Sequence, residues 1–187
     1  MSSADTSGLL LVAATELELC DHVGLVCGVG PVEAATATAR ELALRPPKAV
    51  LHVGVAGARG IIPGGLVIGS ASLYADLSAE IPVVDHVEAD TRLLEAAREA
   101  LPDALVLPIG TSASVGGSAA QADHTPRVEA MEGFAVLRAC ERAGIPALEL
   151  RAISNELSEG DRSRWRIGRA LEALGDVLPR VLSALAE

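Results

Sequence analysis

The sequence predicts an α/β fold, and three observations carry the prediction. Short apolar runs rich in Val, Ile and Leu recur along the chain, amphipathic helical patterns lie between them, and the runs lack the polar alternation of a sheet with one wet face. Strands of that kind are covered on both sides, and strands alternating with helices build a sandwich. With 187 residues, half of them apolar, the chain has enough for one core, and residues 1–187 are read as a single domain.

The runs at residues 8–14, 23–27, 49–55, 66–73, 104–109 and 147–153 have the length of strands. Pro31 stands at a first helical position, followed by Val32, Ala35, Ala39 and Leu42 at helical spacing. Asp90 is the N-cap of a second helix with Leu93, Leu94, Ala97 and Leu101 on one face. A third begins near Met131, carries Glu132 at its start and ends at Gly144 and Pro146. Its polar stripe is Arg138, Glu141 and Arg142, opposite Phe134, Ala135, Ala139 and Cys140. The last helix sets Ile167, Leu171, Leu174, Leu178, Val181 and Leu185 at steps of four and three, and Pro179 is expected to kink or split it. Tyr74, Phe134 and Trp165 are the only aromatics, so Ala, Val, Leu and Ile must fill the core, with Trp165 expected inside it.

Composition excludes several classes of function. A net charge of −10 repels phosphate backbones and anionic lipid, so neither nucleic acid nor membrane is an expected partner. Cys20, Cys27 and Cys140 are odd in number and form no CxxC pair, which points to buried apolar thiols in a reducing compartment. The run at residues 9–14 is too short for a signal peptide core, and no apolar stretch reaches the ~18 residues of a membrane span, so the expected location is the cytoplasm.

Motif by motif, the commoner chemistries also fall away. Gly28-Val29-Gly30 opens a helix after a strand, but Glu33 replaces the third glycine of a dinucleotide fingerprint. What remains is a tight turn whose backbone N–H groups suit an anion or a ribose hydroxyl, or a turn alone. His22, His52, His86 and His124 have no metal-ligand spacing, so neither a metal nor another cofactor is expected. The stretch from Gly110 to Ser114 starts like a nucleophile elbow but has Ser114 in place of its second glycine.

Five segments together carry a signal that none carries alone. They are Thr15-Glu16-Leu17-Glu18 after the first strand, Gly28-Val29-Gly30-Pro31-Val32-Glu33-Ala34-Ala35, Val53-Gly54-Val55-Ala56-Gly57, Val128-Glu129-Ala130-Met131-Glu132-Gly133, and Arg151-Ala152-Ile153-Ser154-Asn155. In order and spacing the chain resembles the purine nucleoside phosphorylases and methylthioadenosine/S-adenosylhomocysteine nucleosidases, with the futalosine hydrolase branch nearest. The resemblance implies a three-layer α/β/α sandwich about a mixed, partly barrel-like sheet. It also implies a homo-oligomer that acts on a small nucleoside.

Breaking an N-ribosidic bond builds positive charge on the ribose and negative charge on the base, so carboxylates belong by the sugar and donors by the base. The resemblance gives Glu132 the ribose hydroxyls and packs Met131 against the sugar; a carboxylate serving only the helix dipole is the other reading of Glu132. It gives Glu18 the attacking water as general base, with Glu16 the competitor, since alternation along an extended segment puts both on one side. Asn155 stands where the adenosine-type nucleosidases carry Asp. Its amide oxygen accepts from a protonated N7 while its NH2 donates to a carbonyl at position six, which selects a 6-oxopurine; the plainer reading is a turn residue after a strand.

The remaining assignments follow the same resemblance. Gly57 and the loop at residues 111–117, through Ser112 and Ser114, frame the base, and Glu129 is left without a role. Trp165 and Arg162 fall where the resemblance has a lid or partner contact. The segment between Glu18 and Val23 is shorter than in the better-known nucleosidases, implying a more open pocket that suits a bulky 5′ extension. Glu18 repels phosphate, and Arg59 is the only evident arginine to offset it. The expected activity is hydrolysis of futalosine to hypoxanthine. The alternatives are an inosine- or methylthioadenosine-type hydrolase or phosphorylase, or a non-catalytic nucleoside-binding protein.

Overall fold

The computed structural model describes residues 8–77, 79–114 and 126–187. In chain order it contains β1 (Leu9–Ala13), β2 (Leu25–Val26), α1 (Pro31–Leu44), β3 (Ala49–Ala58), β4 (Leu66–Tyr74), β5 (His86–Glu88), α2 (Thr91–Ala100), β6 (Leu105–Thr111), β7 (Val128–Ala130), α3 (Gly133–Ala143), β8 (Ala147–Glu156) and α4 (Ile167–Ala186). Short 3-10 turns at Glu16–Leu19 and Arg162–Arg164 precede β2 and α4.

All eight strands of the described residues belong to one mixed sheet, ordered β2-β1-β3-β7-β6-β4-β5, with β8 pairing both β3 and β4. The pairs β3·β8, β8·β4, β4·β6, β6·β7 and β7·β3 close a circuit, so the middle of the sheet is a small barrel, while β1–β2 and β5 extend it outward. Ala56, Val67, Ile109, Val128 and Ile153 pack together as one cluster of this region.

Alternation along the strands sends side chains to two helical layers. Leu11, Leu51, Val53, Leu148 and Leu150 meet Leu93 and Ala97 of α2 and Leu174, Leu178 and Val181 of α4. Val12, Val50 and Ala147 meet Ala34 and Leu42 of α1 and Val136, Leu137 and Cys140 of α3. A sheet between two helix pairs is the three-layer α/β/α sandwich with a mixed central sheet.

Several local expectations are corrected. β5 and β7 are three residues each, too short to leave a periodic pattern. β2 shrinks to two residues: only Leu25 and Val26 pair with β1, at Val12 and Ala13, and Val23 is 99% exposed. The first half of β6 is not covered on both sides: Leu105 is exposed. Pro179 does not split α4. The proline is exposed and the residue four before it is Gly175, so the carbonyl it leaves unbonded is not boxed in by a side chain. All three cysteines are free, with Cys27 and Cys140 buried and their thiols pushed up to about 12 by burial; Cys20 is only half-buried.

Candidate active site

Parallel strands β1, β3 and β8 end on the same side of the sheet, where the chain turns away and side chains converge. A cavity of about 330 Å³ opens there, lined by Thr15, Glu18, Val55, Gly57, Met131, Glu132, Ser154 and Asn155 among others.

Glu18 lies in the 3-10 turn after β1, not on an extended segment. That turn separates the two candidate bases: Glu16 is exposed and Glu18 is 7% exposed and lines the cavity. The Glu18 carboxylate accepts from the Val55 N–H (3.0 Å), the Thr15 N–H (3.1 Å) and the Thr15 hydroxyl (2.8 Å). Three donors hold it in one orientation at the cavity wall.

Glu132 precedes the first residue of α3 but does not cap that helix. The Phe134 N–H is satisfied instead by the Thr111 hydroxyl at 2.7 Å. Its carboxylate turns away and accepts from the Gly30 N–H at 3.0 Å. The N–H of the glycine turn is therefore occupied by an internal carboxylate, and Gly30 holds φ +92, a conformation that favours glycine. Burial raises the Glu132 carboxyl above its ordinary value; Arg151 and the Gly30 N–H offset this in part.

At the centre of the charged groups sits Arg151, fully buried on β8. Its Nε bonds Glu149 at 2.8 Å, its Nη2 lies 3.7 Å from Glu132 and also bonds His52 Nε2, and Glu149 in turn accepts from the Ser72 hydroxyl. His52 Nδ1 donates to the Val12 carbonyl at 3.0 Å, which leaves Nε2 unprotonated to accept from the guanidinium. Burial and then Arg151 hold the His52 pKa well below its ordinary 6.5. Burial alone would lower the Arg151 pKa, but Glu149, Glu132 and Glu18 outweigh it and raise the value.

One guanidinium nitrogen is left over. Arg151 Nη1 is buried with no hydrogen-bond partner among the described residues. A Cβ at Gly54 would collide with both that nitrogen and Glu18 Oε1, so the two groups come together over bare backbone. An unpaired buried N–H beside a carboxylate suits a small polar atom such as a water oxygen, with Glu18 placed to take its proton. Three carboxylates around one guanidinium also leave surplus negative charge, which favours a cationic sugar.

A register shift places Asn155. Ala56 pairs with Ile153 but Gly57 pairs with Asn155, so β8 carries one extra residue, Ser154, at this point. The bulge turns the Asn155 side chain to the face of Gly57. A Cβ on Gly57 would meet the Asn155 amide nitrogen at 3.0 Å, so the glycine leaves room for the amide. Asn155 Oδ1 accepts from the Ser154 hydroxyl (2.7 Å) and Nδ2 donates to the Glu156 carbonyl (3.0 Å). Each end keeps one further bond for a ligand.

Glu18, Gly57, Met131, Glu132 and Asn155 thus line one cavity. Ser114 joins them, whereas Ser112 is buried behind the loop, bonding Asp76 (3.1 Å) and accepting from the Ser114 N–H (3.1 Å). The rest of the expected base loop, residues 115–117, lies outside the described residues, as does His124. Glu129 also lines the cavity, and Trp165 is half-buried at its wall instead of in the core. Arg151, Glu149 and His52 are what sequence reasoning missed, having named Arg59 as the only evident arginine. Their signal was present: Glu149 and Arg151, two apart in an otherwise apolar strand, share a face and must be paired if buried. Among the described residues no three His, Cys, Asp or Glu side chains gather to hold a metal ion.

The model of the phosphorylase superfamily matches residues 20–187. This chain belongs to the phosphorylase superfamily. Within it, a futalosine hydrolase of Streptomyces coelicolor is 38% identical over 188 residues, covering 86% of this chain and 78% of its own length. A futalosine hydrolase of Thermus thermophilus is 31% identical over 194 residues, covering 86% and 81%. Solved superfamily structures share the fold. A methylthioadenosine/S-adenosylhomocysteine nucleosidase of Colwellia psychrerythraea in complex with adenine has a TM-score of 0.84 at 20% identity over 95% of both chains. The futalosine hydrolase of Helicobacter pylori has a TM-score of 0.83 at 16% identity, over 94% of this chain and 97% of that one.

Proposed function

We propose that this chain hydrolyses the N-ribosidic bond of futalosine and releases hypoxanthine, a step of menaquinone biosynthesis by the futalosine route. The single observation that carries the reading is that the Asn155 amide and the Glu18 and Glu132 carboxylates line one cavity. Futalosine hydrolases at 38% and 31% identity support the substrate.

Glu132 with Met131 holds the ribose, and the surplus of buried carboxylates stabilises the positive charge that grows on the sugar as the bond lengthens. Glu18 and Arg151 Nη1 orient a water on the ribose side, and Glu18 takes its proton. As the bond to the sugar breaks, the departing base takes a proton at N7 from solvent water; Asn155 accepts from that N–H and donates to the oxygen at position six, which an adenine cannot match. Phosphate is disfavoured as the nucleophile because Arg151 is already outnumbered by Glu18, Glu132 and Glu149. The same reading makes the protein a cytoplasmic, single-domain homo-oligomer that needs no cofactor.

The test is to incubate the protein with futalosine, inosine and methylthioadenosine, with and without phosphate, and to follow base release by chromatography. Hypoxanthine should come from futalosine at a rate indifferent to phosphate, with little adenine from methylthioadenosine. Glu18→Gln should lower kcat by about 10²–10⁴-fold. A phosphate requirement, a preference for methylthioadenosine, or undiminished turnover by Glu18→Gln would each overturn the reading.

A further inference from the structure

The cavity has two chemically different ends. Its inner end presents Glu18, Glu132 and Asn155, whereas its outer wall is built from Leu17, Val29, Leu157, Ile167 and Leu171 and includes Trp165. Leu17 and Val29 are 73% and 57% exposed, so this apolar wall faces solvent at the mouth. An occupant that filled the cavity would be polar at one end and apolar along its outer part.

Against Trp165 of that wall stands a cation. Arg162 places its guanidinium carbon 5.7 Å from the centroid of the Trp165 ring. That ring is fixed in turn, because its Nε1 donates to the Glu159 carbonyl at 3.1 Å. The neighbouring arginine is differently placed: Arg164 is engaged by Glu159 at 3.5 Å and by Asp161 at 3.7 Å. Arg162 has no carboxylate partner among the described residues, although Glu159 and Asp161 flank it in sequence and the chain carries a net charge of −10. A guanidinium stacked on an aromatic face keeps its in-plane N–H fork open and loses little freedom when it grips a carboxylate.

We propose that Arg162, braced on Trp165, binds a carboxylate at the far end of the nucleoside's 5′ substituent, while the apolar wall covers the intervening stretch. The proposal rests on the reading that the inner end holds the purine and ribose. It adds the residue that sets specificity at the outer end, Arg162, held against Trp165. Charge is arranged accordingly along the cavity, with carboxylates where the sugar becomes cationic and an arginine where the substrate is anionic.

Inosine, an inosine bearing a 5′-carboxyalkyl chain, and the methyl ester of that compound are the probes. Trp165 is the only tryptophan, so its fluorescence reports occupancy of the outer end whether or not the base is released. Wild-type protein should bind the acid more tightly than the ester, and Arg162→Gln should weaken the acid about tenfold in both Kd and KM. Its kcat, and its affinity for the ester and for inosine, should stay unchanged; Arg162→Lys should recover part of the loss. Equal affinity of wild-type protein for acid and ester would overturn the proposal, as would an equal loss for all three ligands in Arg162→Gln. A fluorescence preference for the acid without base release from any probe would leave the anion site standing and count against the hydrolase reading alone.

Discussion

An amide and a carboxylate have the same shape but opposite demands on a purine edge. Asn155 offers one acceptor and one donor to the cavity after Ser154 and Glu156 have taken their share; Asp at the same place offers two acceptors, or one proton when neutral. Asn155→Asp should therefore lose at least tenfold in kcat/KM on inosine-type substrates and gain on methylthioadenosine, measured as the ratio of hypoxanthine to adenine released. An unmoved ratio would remove Asn155 from base selection. The residues that sequence reasoning named, Glu18, Glu132, Met131 and Asn155, sit in short motifs where spacing along the chain was informative. Arg151 escaped because its partners come from β3, β8, the 3-10 turn after β1 and the segment before α3, and no local pattern encodes a meeting of distant segments.

Elements place these side chains through irregularities more than through regular geometry. The 3-10 turn separates Glu16 from Glu18, the bulge at Ser154 re-aims Asn155, and the Thr111 hydroxyl relieves Glu132 of capping α3. None of the three follows from hydrophobic periodicity, which explains why long elements were legible while β5, β7 and the turn were not. Gly54 is the tightest point. A methyl group there strikes both Arg151 and Glu18, and neither can retreat from a close-packed interior without breaking bonds. Gly54→Ala should lower stability by about 1–3 kcal/mol and activity by far more than that loss explains, checked by thermal denaturation beside turnover at a temperature where the variant is folded.

The molecule as a whole couples its stability to the same buried charges. In the unfolded chain His52 recovers its ordinary value of 6.5, well above its native one, so below pH 6.5 the unfolded state binds the extra proton and stability falls as pH falls. Glu132 works in the other direction, since its native carboxyl is raised and takes up a proton before the unfolded one does. Chemical denaturation of His52→Gln beside the wild type isolates the histidine. The wild type should lose up to about 1.4 kcal/mol more per pH unit on the acid side of 6.5, and parallel curves would exclude His52 as the source.

β8 closes the barrel by joining β3 to β4, and it brings in both Arg151 and Asn155. Among the described strands it is also the one furthest along the chain. Until residue 156 has been synthesised, β3 and β4 lack their shared neighbour, and the cavity carboxylates Glu18 and Glu132 lack Arg151 as a counter-charge. A nascent chain arrested before that residue should hold an open, protease-sensitive sheet and release no base, so catalytic competence and closure of the core arrive together.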